Sequence, residues 1–476
     1  MHMQLTKRNI KHVFLVLLWI LTVPVVTWLA STDVKAGLGL SVLFVGGATA
    51  LVCIVNYRLG FYLYIAITFI LPLLERMSGT DLPRGVAMDG LLIATLLGCI
   101  FKRGDKSFRK IKLASDPILI CMYLYLLLLL AELFNPNSYS VLGWYVFMRV
   151  TMRSYILLYV GLNVINNRAD VYTFFKFWLG LGTAAALYCC IQKWYGLLPY
   201  EQAFMARYPE KFGTTVILSG IRLFSFMSDA AVLGIILACN IIILLVLLTA
   251  SLSTINLSRK ILMLVSVVLH TLALGYTGTR TGYVMLPLGM MIFFIANMHK
   301  RNTILAAMAF CFFGLVVLYG PFYGNPTIVR VRTAFIGSQN ASVNVRDRNR
   351  HRIQPYIHAH PEGGGVNTVA GNGETYQPGH PLAGFQPDNG YLRQVLETGW
   401  LGMIIVAGVF FFLVQTAIIN FFRATTELDK LLMIGLAAAG FAASVSQYAQ
   451  DTFTLVETSI MLFAFISVVI KVRYIS

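Results

Sequence analysis

A chain of 476 residues that is 58% hydrophobic and 12% charged is too apolar to be a soluble globular protein. Its mean hydropathy of +0.73 belongs to a polytopic membrane protein, because a spanning helix needs about 20 mostly apolar residues. The net charge of +17 invites a nucleic-acid reading, which we set aside, since membrane proteins carry Lys and Arg in cytoplasmic loops for topological reasons.

Apolar runs predict an all-α architecture with about 12–14 transmembrane helices. The first candidate, near 12–30, follows a basic start as a signal peptide would. Its apolar core is too long for one, so it is read as a helix. The next lie near 37–54, 59–75, 85–101, 117–134, 148–166 and 172–195. Four more lie near 228–250, 260–277, 281–298 and 303–320, and the last three near 399–422, 429–450 and 455–472. With the N-terminus in the cytoplasm beside Lys7, Arg8 and Lys11, the short inner loops are basic. They hold Arg58, the group from Lys102 to Lys112, Arg168, Arg259, Lys260, Lys300, Arg301, Arg423 and Lys430, as the positive-inside rule expects. All seven cysteines fall inside apolar runs, so neither a disulfide framework nor a metal knuckle is implied.

The outer face carries arginines that topology does not call for, Arg330 and Arg332 in the long loop among them. Arg222 precedes a span, and Arg280 lies between two spans with hardly a loop. An arginine there can snorkel to the interface. Its planar fork also suits a buried phosphate, and small residues on both sides of Arg280 let backbones approach closely. Arg149 and Arg153 share one helix face, a placement that either a solvated helix start or a bound anion explains.

The one long polar segment, 321–398, interrupts a single membrane domain spanning 1–476. It holds the arginine cluster of Arg346, Arg348, Arg350 and Arg352, the turn Gly363-Gly364-Gly365, and four of the eight histidines. Long loops are functional or disordered. Aromatics and glycines without low complexity favour a folded cap. Asp388 precedes a helical pattern at Tyr391, Leu392, Val395 and Leu396. It reads as an N-cap or as a general base for an acceptor hydroxyl, with His358, His360 and His380 as alternative bases.

These stretches resemble the O-antigen ligase and polymerase superfamily of bacterial membrane glycosyltransferases. The likeness rests on Arg222-Leu-Phe-Ser-Phe-Met-Ser-Asp-Ala, on Tyr276-Thr-Gly-Thr-Arg-Thr-Gly, and on a large loop. That loop carries His360-Pro-Glu-Gly-Gly-Gly, then Asp388-Asn-Gly-Tyr-Leu and Glu397-Thr-Gly399. The family usually has His where Asp388 stands. The resemblance covers roughly 210–420 and implies a fold similar to the GT-C membrane glycosyltransferases. It implies a multi-pass protein of the bacterial inner membrane with a periplasmic loop and site, using neither metal nor cofactor. The donor would be an undecaprenyl-pyrophosphate-linked glycan and the acceptor a lipid or glycan hydroxyl, with membrane lipids around it and no nucleic acid. Arg222 and Arg280 would hold the pyrophosphate and Asp388 would stand where the base stands. Arg149, Arg153, Arg346, His360 and His380 are the candidate substrate-binding residues. Within the superfamily, surface-polysaccharide ligase, polymerase and protein O-oligosaccharyltransferase remain open. A lipid or polysaccharide transporter is the alternative of another class. It is disfavoured by the lack of inverted repeats and by the scarcity of charge deep in the spans. A non-catalytic scaffold would leave Arg222 and Arg280 without a role.

Overall fold

The computed structural model describes residues 34–79, 84–102, 115–209, 215–217, 220–335 and 341–475. The described residues fall into two compact units. One is drawn from Met1–Phe61 and Pro83–Lys102, the other from Tyr62–Leu82 and Arg103–Ser476. The expected span 12–30, the charges Lys7, Arg8 and Lys11, and the basic residues 103–112 lie outside the described residues.

In the first unit, α1 (Val34–Val55) packs on α3 (Arg84–Phe101), and α2 (Tyr57–Ser78) begins beside them. A Cβ at Gly98 would lie 2.6 Å from the Ile54 carbonyl oxygen, so only glycine permits this approach.

The second unit continues with α4 (Pro117–Ala131), α5 (Val141–Val164), α6 (Arg168–Tyr195) and the short α7 (Pro199–Arg207). A two-stranded antiparallel pair follows, β1 (Val216–Ile217) with β2 (Gly220–Ile221). Next come α8 (Ala230–Leu248), α9 (Leu257–Thr277), α10 (Arg280–Ala296) and α11 (Arg301–Tyr319). The polar loop folds into α12 (Pro326–Phe335), α13 (Ala341–Ala359) and α14 (Ala370–Tyr376). The chain closes with α15 (Gly390–Arg423), α16 (Glu427–Gln447) and α17 (Val456–Val472). Every expected span from 37–54 onward therefore has its helix.

Among the described residues, eight helices are long and apolar enough to cross a membrane, and Val45–Val55, Arg280–Ala296 and Thr303–Tyr319 are shorter apolar helices. The protein is an all-α polytopic membrane protein. Its core is α8, apolar on every side and buried along nearly its whole length, as a helix without a polar face must be. Small residues bring its neighbours close. A Cβ at Gly234 would meet the Thr279 side chain at 2.5 Å, and one at Gly289 would meet the Ala438 carbonyl oxygen at 3.0 Å.

The polar loop has a core of its own. Ile353, Ile357, Val369, Leu382, Val395 and Leu396 are buried together, with Tyr356, Phe385, Leu392 and Met403 against them. This core is tied to the membrane part by a break inside α15. Gly399 has φ 67° and ψ −173°, so residues 390–398 form a cap helix distinct from the span that follows.

Candidate active site

Helix α9 ends at Thr277, and Gly278 turns the chain with φ 59°. Thr279 then leads directly into α10 at Arg280. Left-handed backbone at a helix end favours glycine. The segment after β2 runs beside this turn, with the Leu223 amide donating to the Tyr276 carbonyl at 3.2 Å. Arg222 therefore reaches it. Its Nε donates to the Thr277 carbonyl at 3.1 Å, and its Nη2 donates to Thr279 Oγ1 at 3.3 Å. The Thr279 hydroxyl in turn donates to the Ala230 carbonyl at 2.9 Å.

Arg330, on α12, comes from the other side. Its Nε donates to the Gly278 carbonyl at 2.8 Å. Burial lowers its pKa, and the guanidiniums of Arg280 and then Arg222 lower it further. Three arginines from three segments thus meet at one three-residue turn. Like charges gathered this way repel, so the arrangement suits an anion. The Lys193 ammonium lies 5.8 Å from the centre of the ring of Tyr276, the residue before the turn.

The segment that carries Arg222 is clamped from behind. Arg76, on α2, donates from Nη1 to the Met227 carbonyl at 2.8 Å and from Nη2 to the Ser225 carbonyl at 2.6 Å. Its guanidinium lies 4.6 Å from the Phe224 ring centre. Ser225 has φ 55°, a conformation that costs a non-glycine residue about 1–3 kcal/mol. Its amide is held by Gln192 Oε1 at 2.9 Å and its hydroxyl by the Ala185 carbonyl at 2.7 Å.

The loop histidines belong to a second cluster. The break at Gly399 removes the usual helical donors to two carbonyls, and the glycine turn replaces them. The Gly364 amide donates to the Leu396 carbonyl at 2.8 Å and the Gly365 amide to the Glu397 carbonyl at 3.0 Å. Trp400 donates instead to the Pro361 carbonyl at 3.1 Å. A Cβ at Gly399 would sit 2.3 Å from the Pro361 carbonyl oxygen, and one at Gly363 would sit 2.6 Å from the Gly399 nitrogen. The stretches His360–Gly365 and Glu397–Gly399 are therefore one backbone knot.

His360 stacks on Tyr356, ring centres 4.3 Å apart, and its Nδ1 donates to the Tyr356 carbonyl at 3.1 Å. That tautomer leaves Nε2 as a basic nitrogen. His380 is buried, edge-on to Tyr139 at 4.9 Å. Its Nδ1 accepts from the Leu382 amide at 3.1 Å, and the ring also lies against the Asn137 backbone. Burial lowers its pKa below the usual histidine value, opposed by the Asn137 bond and aided by the nearby His360.

Asp388 is not the cap of its helix. Asn389 is, its Oδ1 accepting from the Leu392 amide at 3.1 Å. Both residue types cap well, and the helix starts one residue later than the sequence suggested. Asp388 is exposed, with φ 47°, left-handed backbone that Asp tolerates better than most residues.

A cavity of about 280 Å³ lies between α5, α14, the start of α15 and residues 453–456. Val146, Val150 and Ser154 of α5 line it, as do Asn367, Asn372, Tyr376, Thr454 and Arg393. Arg393 is held by Glu397 Oε2 and Asp451 Oδ2, each at 3.2 Å. Arg149 and Arg153 lie on the same helix but are not among the residues that line the cavity. Arg346 lies on α13, and its side chain lies outside the described residues. Among the described residues, no group of three or more His, Cys, Asp or Glu side chains is placed to hold a metal ion.

The structure thus joins Arg222 with Arg280 and joins His360 with His380. Sequence reasoning missed Arg330 and Arg393 as site residues. Arg330 had a signal, as one of the outer-face arginines that topology does not require. Arg393 had none beyond its place after Tyr391 and Leu392.

A family model described as O-antigen ligase matches residues 265–407. The match runs from within α9 to within α15, and so contains the turn at Arg280, Arg330 and the glycine knot; Arg222 precedes it. No curated protein matches the chain.

Proposed function

We propose that the chain, whose residues 265–407 match a family model described as O-antigen ligase, transfers an undecaprenyl-pyrophosphate-linked glycan to an acceptor hydroxyl. The reaction takes place at the periplasmic face of the inner membrane. The observation that carries this reading is the convergence of Arg222, Arg280 and Arg330 on the turn 277–279. Guanidiniums recognise phosphate through paired, charge-assisted hydrogen bonds. Groups already gathered before the reaction stabilise charge as it develops on a leaving group.

In the reaction the acceptor oxygen bonds to the anomeric carbon of the glycan. The bond from that carbon to the pyrophosphate oxygen breaks, and the electron pair leaves with the pyrophosphate. The arginines of the turn neutralise that charge. The acceptor proton passes to a base on the loop, either the exposed Asp388 carboxylate or Nε2 of His360. His380 is less well suited to that role, because it is buried and its Nδ1 already accepts from the Leu382 amide. The cavity beside Arg393 and Asn372 has mostly apolar walls that carry a few polar groups of the kind that sugar hydroxyls bind.

The surface glycans of a deletion strain test this reading. Loss of chain from the lipid anchor, with chain retained on the carrier, identifies a ligase. Loss of chain length identifies a polymerase. An unchanged glycan profile overturns the proposal.

A further inference from the structure

At the opposite end of helices α8, α9 and α10 from the arginine turn lies a cleft of about 790 Å³. α9 alone separates the two ends by about 30 Å, at 1.5 Å per residue. Three cations, Lys260, Lys300 and Arg301, line the cleft with one carboxylate, Glu427. That carboxylate is already engaged, accepting from the Ser251 amide at 2.9 Å, the Ser251 hydroxyl at 2.5 Å and the Thr254 hydroxyl. The Lys260 ammonium covers the end of α8 by donating to the carbonyls of Leu248 and Ala250, so the negative end of that helix is masked. The positive end of α11 starts at the cleft with Lys300 as its N-cap residue and no side-chain cap.

The cleft also has an apolar side. Phe293 and Leu431 are part of its wall. Beyond it, Ile261, Leu264 and Val265 on α9 and Ile304, Leu305 and Met308 on α11 are exposed. An anion held here would therefore be continuous with apolar surface that acyl chains can cover.

We propose that this cleft binds the phosphodiester headgroup of an acidic phospholipid, with Lys300 and Arg301 facing the phosphate and the chains lying along α9 and α11. Basic pockets between transmembrane helices select acidic headgroups in this way. The site is separate from the transfer site and does not depend on the reading given to it.

Native mass spectrometry of the purified full chain tests this, with phosphatidylglycerol as the probe and phosphatidylethanolamine as the zwitterionic control of zero net charge. The wild type is expected to retain phosphatidylglycerol in preference. Lys300→Gln combined with Arg301→Gln is expected to weaken that retention about tenfold or more. Equal retention by variant and wild type overturns the proposal. A second measurement needs no variant: a photoreactive phosphatidylglycerol is crosslinked to the wild-type chain. Label in peptides covering 249–260 or 293–304 is the expected result, and label confined to other peptides contradicts it. Millimolar inorganic phosphate is the third arm. It should not displace the lipid; displacement would mean that the cleft takes soluble phosphate instead.

Discussion

The arginine turn at 277–280 and the glycine knot at 360–365 and 397–400 are both sharp breaks at helix ends, yet they are built oppositely. In the knot the bonds close on themselves. Gly364 and Gly365 satisfy the carbonyls that Gly399 exposes, and His380 Nδ1 accepts from the Leu382 amide. In the turn, backbone carbonyls fix two guanidiniums, and the positive charges then face one another. Repulsion of that kind destabilises an empty fold and is relieved by an anionic ligand. Glycines arrayed in a motif can thus serve backbone geometry alone, while chemistry is expected where one sign of charge accumulates.

If that contrast is right, the turn should fail in activity and the glycines of the knot in stability. The largest effect is expected from Arg222→Ala and Arg280→Ala. Each should lower the transfer rate of purified protein about a hundredfold or more, with thermal unfolding little changed. Arg280→Lys should recover little, since a point charge does not replace a bidentate fork. A lysine variant with wild-type activity would mean that charge alone suffices there.

The base comes next. Asp388→Asn should cost about a hundredfold, at the lower end of general-base contributions. The structure makes this substitution clean, because Asn389 is the cap and Asn tolerates left-handed backbone. If Asp388→Asn keeps the wild-type rate and His360→Gln loses it, the base is Nε2 of His360.

Gly399→Ala breaks the contrast from the other side. The new Cβ would meet Pro361 at 2.3 Å on left-handed backbone, a strain of about 1–3 kcal/mol before the contact is counted. Limited proteolysis should cut the loop faster, and any loss of transfer should follow that loss of folding. A variant as resistant as the wild type would show that the knot does not hold the loop.

The smallest effect concerns pH. Burial lowers the pKa of His380, so the fold resists a proton that the unfolded chain accepts below the usual histidine value of about 6.5. Protection of the loop should therefore be full above that pH and decline below it. Protection that is flat from pH 7.5 to 5 would remove His380 from the account.

The spans, the short turn before Arg280 and the outlying arginines were legible in the sequence, because apolar run length and charge placement are local signals. Arg330 was flagged as surplus charge but could not be assigned to the turn, since it lies 50 residues away in the chain and packing alone brings it there. The cap was misread by one position because Asp388 and Asn389 are both good capping residues, and only the backbone geometry separates them. The pairing of Gly363–Gly365 with Gly399 was invisible for the same reason as Arg330, because long-range backbone contacts leave no periodic trace.

The central claim is that the turn at 277–280 is a pyrophosphate site. Binding of undecaprenyl pyrophosphate to purified wild type and to the Arg222→Ala, Arg280→Ala double variant, compared by native mass spectrometry, tests it most directly. The account predicts that the double variant binds at least about tenfold more weakly and that inorganic pyrophosphate displaces the lipid from the wild type. Equal binding by the two proteins would contradict it.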